Sequence, residues 1–134
     1  MADIRFLNME GAVPPRGYSD AALISGAQRQ LVLGGHVAFD AQRQIVAPND
    51  IVGQMRQTLR NLRATLKAAG ATPEQIVKLK IHVTDVAAYQ ANLKDIGAIW
   101  RAELGAVYPA MTLVGVTGLF EPGSVVEIDG LALL

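Results

Sequence analysis

The 134-residue sequence predicts a single α+β domain spanning residues 1–134, with a mixed β-sheet and two long helices on one of its faces. Three observations support this fold class. Two segments with helical spacing of apolar residues each lie between apolar segments typical of strands. Each strand–helix–strand unit is about 30 residues long, which suits a crossover between parallel neighbouring strands. Short strands near both termini favour antiparallel hairpins, which makes the sheet mixed.

The first third of the chain is predicted to form strands. Residues 11–17 cannot form regular structure, because their two prolines lack an N–H donor and have a fixed φ. Residues 21–25 and 30–39 read as short strands, and the connection 26–29 suits a hairpin between them. A polar turn then precedes a third short apolar segment, residues 45–46.

The clearest helix follows this segment. Asn49 or Asp50 can cap its first turn, and Gly70 can end it. One apolar stripe at steps of three and four is formed by Ile51, Met55, Leu59, Leu62 and Leu66. Basic residues lie off this stripe and are interpreted as a solvated face rather than a binding patch: Arg56, Arg60, Arg63 and Lys67.

The second crossover begins with a strand between Val77 and Val83, where apolar residues alternate with Lys78, Lys80 and His82. His82 is therefore expected to point away from the core. Thr84-Asp85 can cap a second helix over residues 86–104, which Gly105 can end.

Two further strands complete the predicted sheet. Residues 111–117 and 125–133 read as strands, and residues 121–124 have Pro and Gly in the order that a turn requires. With both helices on one face, the other face stays bare unless a second subunit covers it. The pattern therefore suggests an oligomer.

Composition narrows the function classes. Twelve basic and twelve acidic residues give no net charge, which argues against nucleic acid as a partner. The absence of cysteine rules out thiol chemistry and cysteine-ligated metal. Neither a membrane span nor a signal peptide is predicted, so a cytoplasmic protein is expected. An apolar fraction of 51% fits either a surface buried between subunits or ordinary scatter.

Common cofactor and nucleophile motifs are absent from the sequence. Gly34-Gly35 lacks the spacing of a phosphate-binding loop, and no dinucleotide fingerprint or Gly-x-Ser-x-Gly occurs. His36 and His82 lie on different predicted strands without carboxylates at ligand spacing, so no metal site is expected.

Six motifs in order resemble the reactive intermediate deaminase family (Rid, also called YjgF-type). The resemblance extends from about residue 12 to the end and is carried by Pro15-Arg16-Gly17-Tyr18-Ser19, Leu33-Gly34-Gly35-His36-Val37, Gln54-x-x-Gln57-x-Leu59-x-Asn61-Leu62, Val83-Thr84-Asp85, Tyr108-Pro109-Ala110-Met111-Thr112 and Val126-Glu127-Ile128-Asp129-Gly130-Leu131-Ala132.

This resemblance implies a chorismate-mutase-like fold and a homotrimer with a small-molecule cleft at each subunit interface. It also implies water addition to a reactive enamine or imine, which releases ammonia without a cofactor or metal. An imine carbon is already electrophilic, so the protein need only orient the substrate and a water molecule.

The family's substrate-clamping arginine is replaced by Met111 in this sequence. Arginine grips a carboxylate with two charged hydrogen bonds, and methionine offers no donor. The departure points to an unusual substrate or to a cleft that no longer catalyses. Arg16 is a candidate replacement for the missing cation.

The other site residues follow from the same resemblance. Glu127 matches the glutamate that positions or activates water, and Tyr18 matches the tyrosine at the cleft mouth. Gly34-Gly35 stands where serine-glycine is usual, so only backbone donors remain there. His36 and Thr112 complete the candidate substrate-binding set, with a structural role open for each.

Two functions remain open from the sequence. The first is an enzyme that hydrolyses an imine, enamine or related activated small molecule. The alternative is a catalytically inactive trimer that binds a small molecule or regulates a partner. Ribonuclease action, which is sometimes attached to the family's names, is not supported, because aromatic residues are only 5% and no basic stripe is present.

Overall fold

A computed structural model describes residues 2–134 and shows a four-stranded sheet, three α-helices, a short 3-10 helix at Pro73–Gln75 and a separate two-stranded antiparallel sheet. The strands are β1 (Asp3–Leu7), β2 (Ala21–Ser25), β3 (Gln30–His36), β4 (Ile76–Val83), β5 (Ala110–Gly115) and β6 (Val126–Leu133). The helices are α1 (Ile51–Ala68), α2 (Val86–Ala91) and α3 (Leu93–Glu103). No helix of this described part is long and apolar enough to cross a membrane.

The sheet is mixed, as predicted, but its strand order is β3-β6-β4-β5. β6 runs antiparallel to both β3 and β4, whereas β4 and β5 are parallel. The expectation that both crossovers join neighbouring strands is therefore wrong for α1, and β5 and β6 form no hairpin. A helix is about 10 Å wide, or two strand spacings, so the α1 crossover leaves room for β6 between β3 and β4.

Local signals in the sequence placed α1 correctly. The Asp50 carboxylate accepts a hydrogen bond from the backbone N–H of Val52 at 3.1 Å, and the predicted apolar stripe is buried. The helix ends at Ala68 with Ala69 as its C-terminal cap, and Gly70 follows with φ of +71°. Only glycine adopts that conformation without strain, which explains the stop.

The predicted single helix over residues 86–104 is wrong, because the structure breaks it at Asn92 into α2 and α3. The Asn92 side-chain amide donates to the Ala88 carbonyl oxygen at 2.7 Å. Its backbone N–H bonds the Tyr89 carbonyl oxygen in a tighter turn. Asparagine side chains compete with the helical ladder in this way. Asp85 caps α2, and Gly105 follows α3 with φ of +84°, as predicted.

The predicted hairpin between β2 and β3 is also wrong. β2 pairs with β1, a strand that the sequence analysis missed although Ile4 and Phe6 alternate with charged residues. β3 forms an edge of the sheet, and the segment 45–46 contributes only an isolated bridge between Ile45 and Phe39. Local pattern identified β2 and β3 as strands, but it carries no information about which strand each one pairs with.

The two faces of the sheet differ in chemistry. The helices pack on one face over side chains such as Leu79, Val126 and Ile128, which are fully buried. The opposite face has no helix in the described residues and carries mostly polar side chains: Lys78, Lys80, His82, Glu127 and Asp129. The prediction that His82 points away from the core is confirmed.

Candidate functional site

The candidate water-positioning residue, Glu127, lies beside a bulge in β3. Leu33 pairs with Gly130 and His36 pairs with Ile128, so two glycines of β3 lie opposite a single residue of β6. A Cβ atom on Gly35 would lie 2.8 Å from Cδ of Glu127, closer than real contacts allow. A Cβ on Gly34 would meet nothing within 4 Å. Gly35 is therefore the residue whose missing side chain makes room for the Glu127 carboxylate.

The Glu127 side chain is half-buried and available to a ligand. Its neighbours Val126 and Ile128 are fully buried and fix the strand against the helices. Its backbone carbonyl oxygen contacts Nδ1 of His82 at 3.1 Å. No donor within residues 2–134 hydrogen-bonds its carboxylate. A half-buried carboxylate with free lone pairs can accept a hydrogen bond from water and act as a general base.

His36 is held away from Glu127. Nδ1 lies 2.7 Å from the Gly34 carbonyl oxygen, and Nε2 lies 2.8 Å from the Thr65 hydroxyl oxygen on α1. A neutral ring that donates from Nδ1 and accepts at Nε2 satisfies both contacts. The ring lines a cavity of about 440 Å³ between β3 and α1, together with both glycines of the bulge. Its contacts favour a structural role over ligand binding.

The remaining predicted residues, Tyr18, Met111 and Thr112, line a second cavity of about 800 Å³ at the other edge of the sheet. Met111 lies opposite Leu79 in the β4–β5 pair and packs toward the helices. The Thr112 hydroxyl accepts a hydrogen bond from Nζ of Lys78 at 2.9 Å, so its polar atom faces the open side of the sheet.

Ser19 positions Tyr18 at this cavity. Its backbone N–H donates to the Pro109 carbonyl oxygen at 3.0 Å, and its hydroxyl donates to the Tyr108 carbonyl oxygen at 2.7 Å. Ser19 also forms a parallel bridge to Ala110 at the start of β5. The segment before β2 is therefore attached to the β5 edge.

The wall of this cavity is largely aromatic and aliphatic, with two arginines. Tyr89 and Trp100 contribute from α2 and α3, and burial raises the pKa of the Tyr89 phenol above its ordinary value of 10.0. Nε1 of Trp100 donates to the Val107 carbonyl oxygen at 2.8 Å. The exposed side chains of Arg16 and Arg101 line the same space. A ligand carboxylate at the opening of this cavity could therefore contact arginine side chains, although Met111 occupies the position of the family's clamping arginine.

One copy of the chain does not bring the two groups of site residues together. Glu127 projects from the open face of β6, whereas Met111 projects from the helix face of β5. β4 lies between these strands, so their backbones are about 10 Å apart. The structure thus unites Gly34, Gly35 and Glu127 at one edge of the sheet, and Tyr18 with Met111 at the other.

The sequence analysis missed several residues that shape these sites. Tyr89, Trp100 and Arg101 are among them, because helical spacing alone does not show which side of an apolar stripe borders a cavity. Gln54 is fully buried and hydrogen-bonds the carbonyl oxygens of Ala47 and Gly123, and it accepts from the Val125 N–H. In the sequence, the signal for this structural role of Gln54 is that a glutamine occurs on the apolar side of the predicted helix.

Within residues 2–134, no three His, Asp or Glu side chains form a group that could hold a metal ion. Residues 10–134 match the family model described as endoribonuclease L-PSP. Human 2-iminobutanoate/2-iminopropanoate deaminase is 25% identical over 123 residues, covering 92% of this chain and 82% of that protein. Protein DfrA from Myxococcus xanthus is 28% identical over 116 residues, covering 87% of this chain and 84% of that protein.

Solved structures show the same fold. The Rid-family protein YyfB from Yersinia pestis, a protein of unknown function, superimposes with a TM-score of 0.85 at 34% identity, covering 98% of both chains. RidA from an Antarctic Psychrobacter superimposes with a TM-score of 0.68 at 24% identity, covering 97% of this chain and 99% of that one.

Proposed function

Because the chain belongs to the endoribonuclease L-PSP family, also called YjgF/Rid, we propose that it adds water to a reactive imine or enamine and releases ammonia. The proposed enzyme is a chorismate-mutase-like homotrimer whose small-molecule clefts lie between subunits, and it uses no cofactor. The observation that carries this proposal is the Glu127 carboxylate, half-buried over Gly35 without a hydrogen-bond donor in residues 2–134. Relatives named as imine deaminases support the reaction class.

In the proposed reaction, Glu127 accepts a proton from water as the water oxygen bonds to the imine carbon. The imine nitrogen takes up one proton from solvent and Glu127 releases one to solvent, so the product of this step is a neutral carbinolamine and the carboxylate is regenerated. The carbinolamine then loses ammonia as its C–N bond breaks, which leaves a carbonyl compound. A positioned general base contributes about 100- to 10,000-fold to such a step.

The substrate class differs from that of relatives with an arginine in the clamp position. Met111 and the aromatic wall favour an imine with an apolar substituent, because most of the cavity wall is apolar surface against which such a substituent can pack. Tyr18, at the cavity mouth, would contact the substrate's outer end. Any carboxylate on the substrate would bind Arg16 or Arg101 at the rim, where the guanidinium groups remain solvated.

The test uses 2-iminopropanoate and an imine with a larger apolar side chain, each generated in solution from the parent amino acid by an oxidase. Ammonia and carbonyl product are measured against the spontaneous rate. We expect the wild-type protein to prefer the larger imine and Glu127→Gln to lower kcat by about 100-fold or more. Met111→Arg should shift the preference toward 2-iminopropanoate, whereas Met111→Leu should not.

The alternative, a binding protein without turnover, is favoured by the single observation that Met111 replaces the clamp. It predicts no acceleration by the wild-type protein and unchanged ligand affinity in Glu127→Gln. Equal rates with and without wild-type protein, for both imines, would rule out the enzymatic proposal.

A further inference from the structure

All three tyrosines and the single tryptophan of this chain line the same cavity, the one of about 800 Å³ beside β5. They come from four separate parts of the chain, namely Tyr18 from the segment before β2, Tyr89 from α2, Trp100 from α3 and Tyr108 from the residues before β5. Aromatic side chains make favourable contacts with another ring, either stacked or edge to face. The wall of this cavity therefore suits a ligand with a planar aromatic ring.

Two arginines at the opening of this cavity have no partner of their own in residues 2–134. The guanidinium groups of Arg16 and Arg101 form neither an ion pair nor a hydrogen bond there. On α1, by contrast, Arg60 and Arg63 both pair with Glu103. None of the described residues that line the cavity is acidic. The opening therefore carries positive charge and suits an anionic group such as a carboxylate.

A glycine in the middle of α3 keeps this space open. Gly97 lines the cavity, and a Cβ atom built on it would lie 3.7 Å from Nη1 of Arg101. The Arg101 guanidinium group therefore lies close to the cavity wall at Gly97. Glycine is unfavourable in a helix interior, and here it leaves the wall without a side chain. A long side chain at this position would fill part of the cavity.

Met111 determines which way round a ligand with a ring and an acid group would bind. It lies in the cavity wall on the helix face of β5, where its thioether can pack against an aromatic ring. Methionine offers a carboxylate no donor, whereas the two arginines lie at the opening. The ring therefore belongs inside the cavity and the acid at its opening. An arginine in place of Met111 would favour the reverse orientation.

We propose that this cavity binds an aromatic carboxylic acid. The ring packs against Met111 and the aromatic wall, and the carboxylate binds Arg16 and Arg101 at the opening. For the proposed hydrolase, the substrate is then the imine of an amino acid with an aromatic side chain. That last assignment rests on the proposed function, whereas the binding of the acid does not.

Trp100 supplies the signal for a direct binding test, because it is the only tryptophan and borders the cavity. The wild-type protein is titrated with 3-phenylpropanoate, which has no imine and cannot react, and binding is followed by tryptophan fluorescence and by calorimetry. We expect it to bind about two- to tenfold tighter than 3-cyclohexylpropanoate, whose ring is not aromatic. It should bind about three- to tenfold tighter than the uncharged 3-phenylpropanamide. Propanoate, which lacks the ring, should bind at least about tenfold more weakly.

Two pairs of variants locate the bound acid. Gly97→Leu should abolish saturable binding of 3-phenylpropanoate, whereas Ala98→Leu adds the same side chain at an exposed position of α3 and should bind it like wild type. Replacing Arg16 and Arg101 together by glutamine should remove the preference for the acid over the amide. Arg56→Gln, at an exposed position of α1 outside the cavity, should keep that preference.

Several results would overturn the inference. These are no binding of 3-phenylpropanoate by either measurement, equal affinities for the acid and the amide, equal affinities for the phenyl and cyclohexyl acids, and wild-type binding by Gly97→Leu. The outcomes also separate the inference from the proposed function. Binding of the acid without hydrolysis of any imine would retain the inference and remove the catalytic role. Hydrolysis of an aliphatic imine by a protein that does not bind 3-phenylpropanoate would retain the function and overturn the inference.

Discussion

Replacing Gly35 with alanine should displace the Glu127 carboxylate while leaving the fold intact. The new Cβ would lie 2.8 Å from Cδ of Glu127, and carbon atoms in contact need about 3.5 Å or more, so the carboxyl group must move by about 1 Å. A displacement of that size at a reacting group costs about 100-fold in rate. For the proposed imine hydrolysis, we therefore expect kcat/KM to fall about 100-fold.

Stability should change little in the same variant. Gly35 does not have a positive φ, so alanine fits the backbone and stabilises the fold by roughly 0.4–1 kcal/mol through the unfolded chain. Moving the Glu127 side chain off its preferred rotamer costs about 0.5–1.5 kcal/mol, which roughly offsets that gain. Urea unfolding should give a free energy within about 1 kcal/mol of wild type.

Gly34→Ala is the matched control, because its Cβ meets no atom within 4 Å. Its kcat/KM should fall far less than that of Gly35→Ala, by under about tenfold, which corresponds to 1.4 kcal/mol. A folded Gly35→Ala protein with wild-type kcat/KM would refute the assignment of Glu127 as the base. Equal losses in the two alanine variants would refute the steric reasoning.

Three further predictions concern stability. Gln54→Leu should lower the free energy of urea unfolding by about 2 kcal/mol, because it leaves the Val125 N–H without its acceptor and removes two further hydrogen bonds, to carbonyl groups that keep one backbone donor each. Gln57→Leu, which loses one hydrogen bond on the same helix, should cost under about 1 kcal/mol. Equal losses in the two variants would contradict a stabilising role for the buried Gln54 hydrogen bonds. Since the pKa of Tyr89 is raised by burial, the folded state holds its proton more tightly than the unfolded state does. The free energy of unfolding should therefore decline as the pH rises above 10.0, and the decline should be smaller in Tyr89→Phe. Parallel pH profiles of stability for the two proteins would contradict the burial of the Tyr89 phenol. Glu103→Gln should destabilise by about 1 kcal/mol at low salt, because its two arginine partners are half-exposed, and the loss should shrink in high salt.

Much of the secondary structure could be predicted because its signals are local. The Asp50 and Asp85 caps, the buried stripe of α1 and the left-handed Gly70 all depend on neighbouring residues. The break at Asn92 is local as well, but helical spacing continues through it, so the apolar pattern concealed the competing side-chain hydrogen bond.

Strand pairing could not be predicted from the same kind of signal. The four-residue connection between β2 and β3 is typical of a hairpin, yet Ser19 attaches the chain to the opposite edge of the sheet. The position of β6 between β3 and β4 likewise depends on the gap left by the α1 crossover. Both outcomes rest on contacts between residues far apart in the chain.

The sequence by itself determined the element types, the family and the identity of the candidate base, because periodicity, caps and motifs are read within short segments. Only the tertiary structure decided that Gly35 makes room for Glu127 and that Met111 faces an aromatic cavity. It also decided that the side chains of Glu127 and Met111 lie on opposite faces of the sheet. The physical reason is that alternation gives a strand two faces, whereas long-range pairing decides which edge and which cavity each face meets.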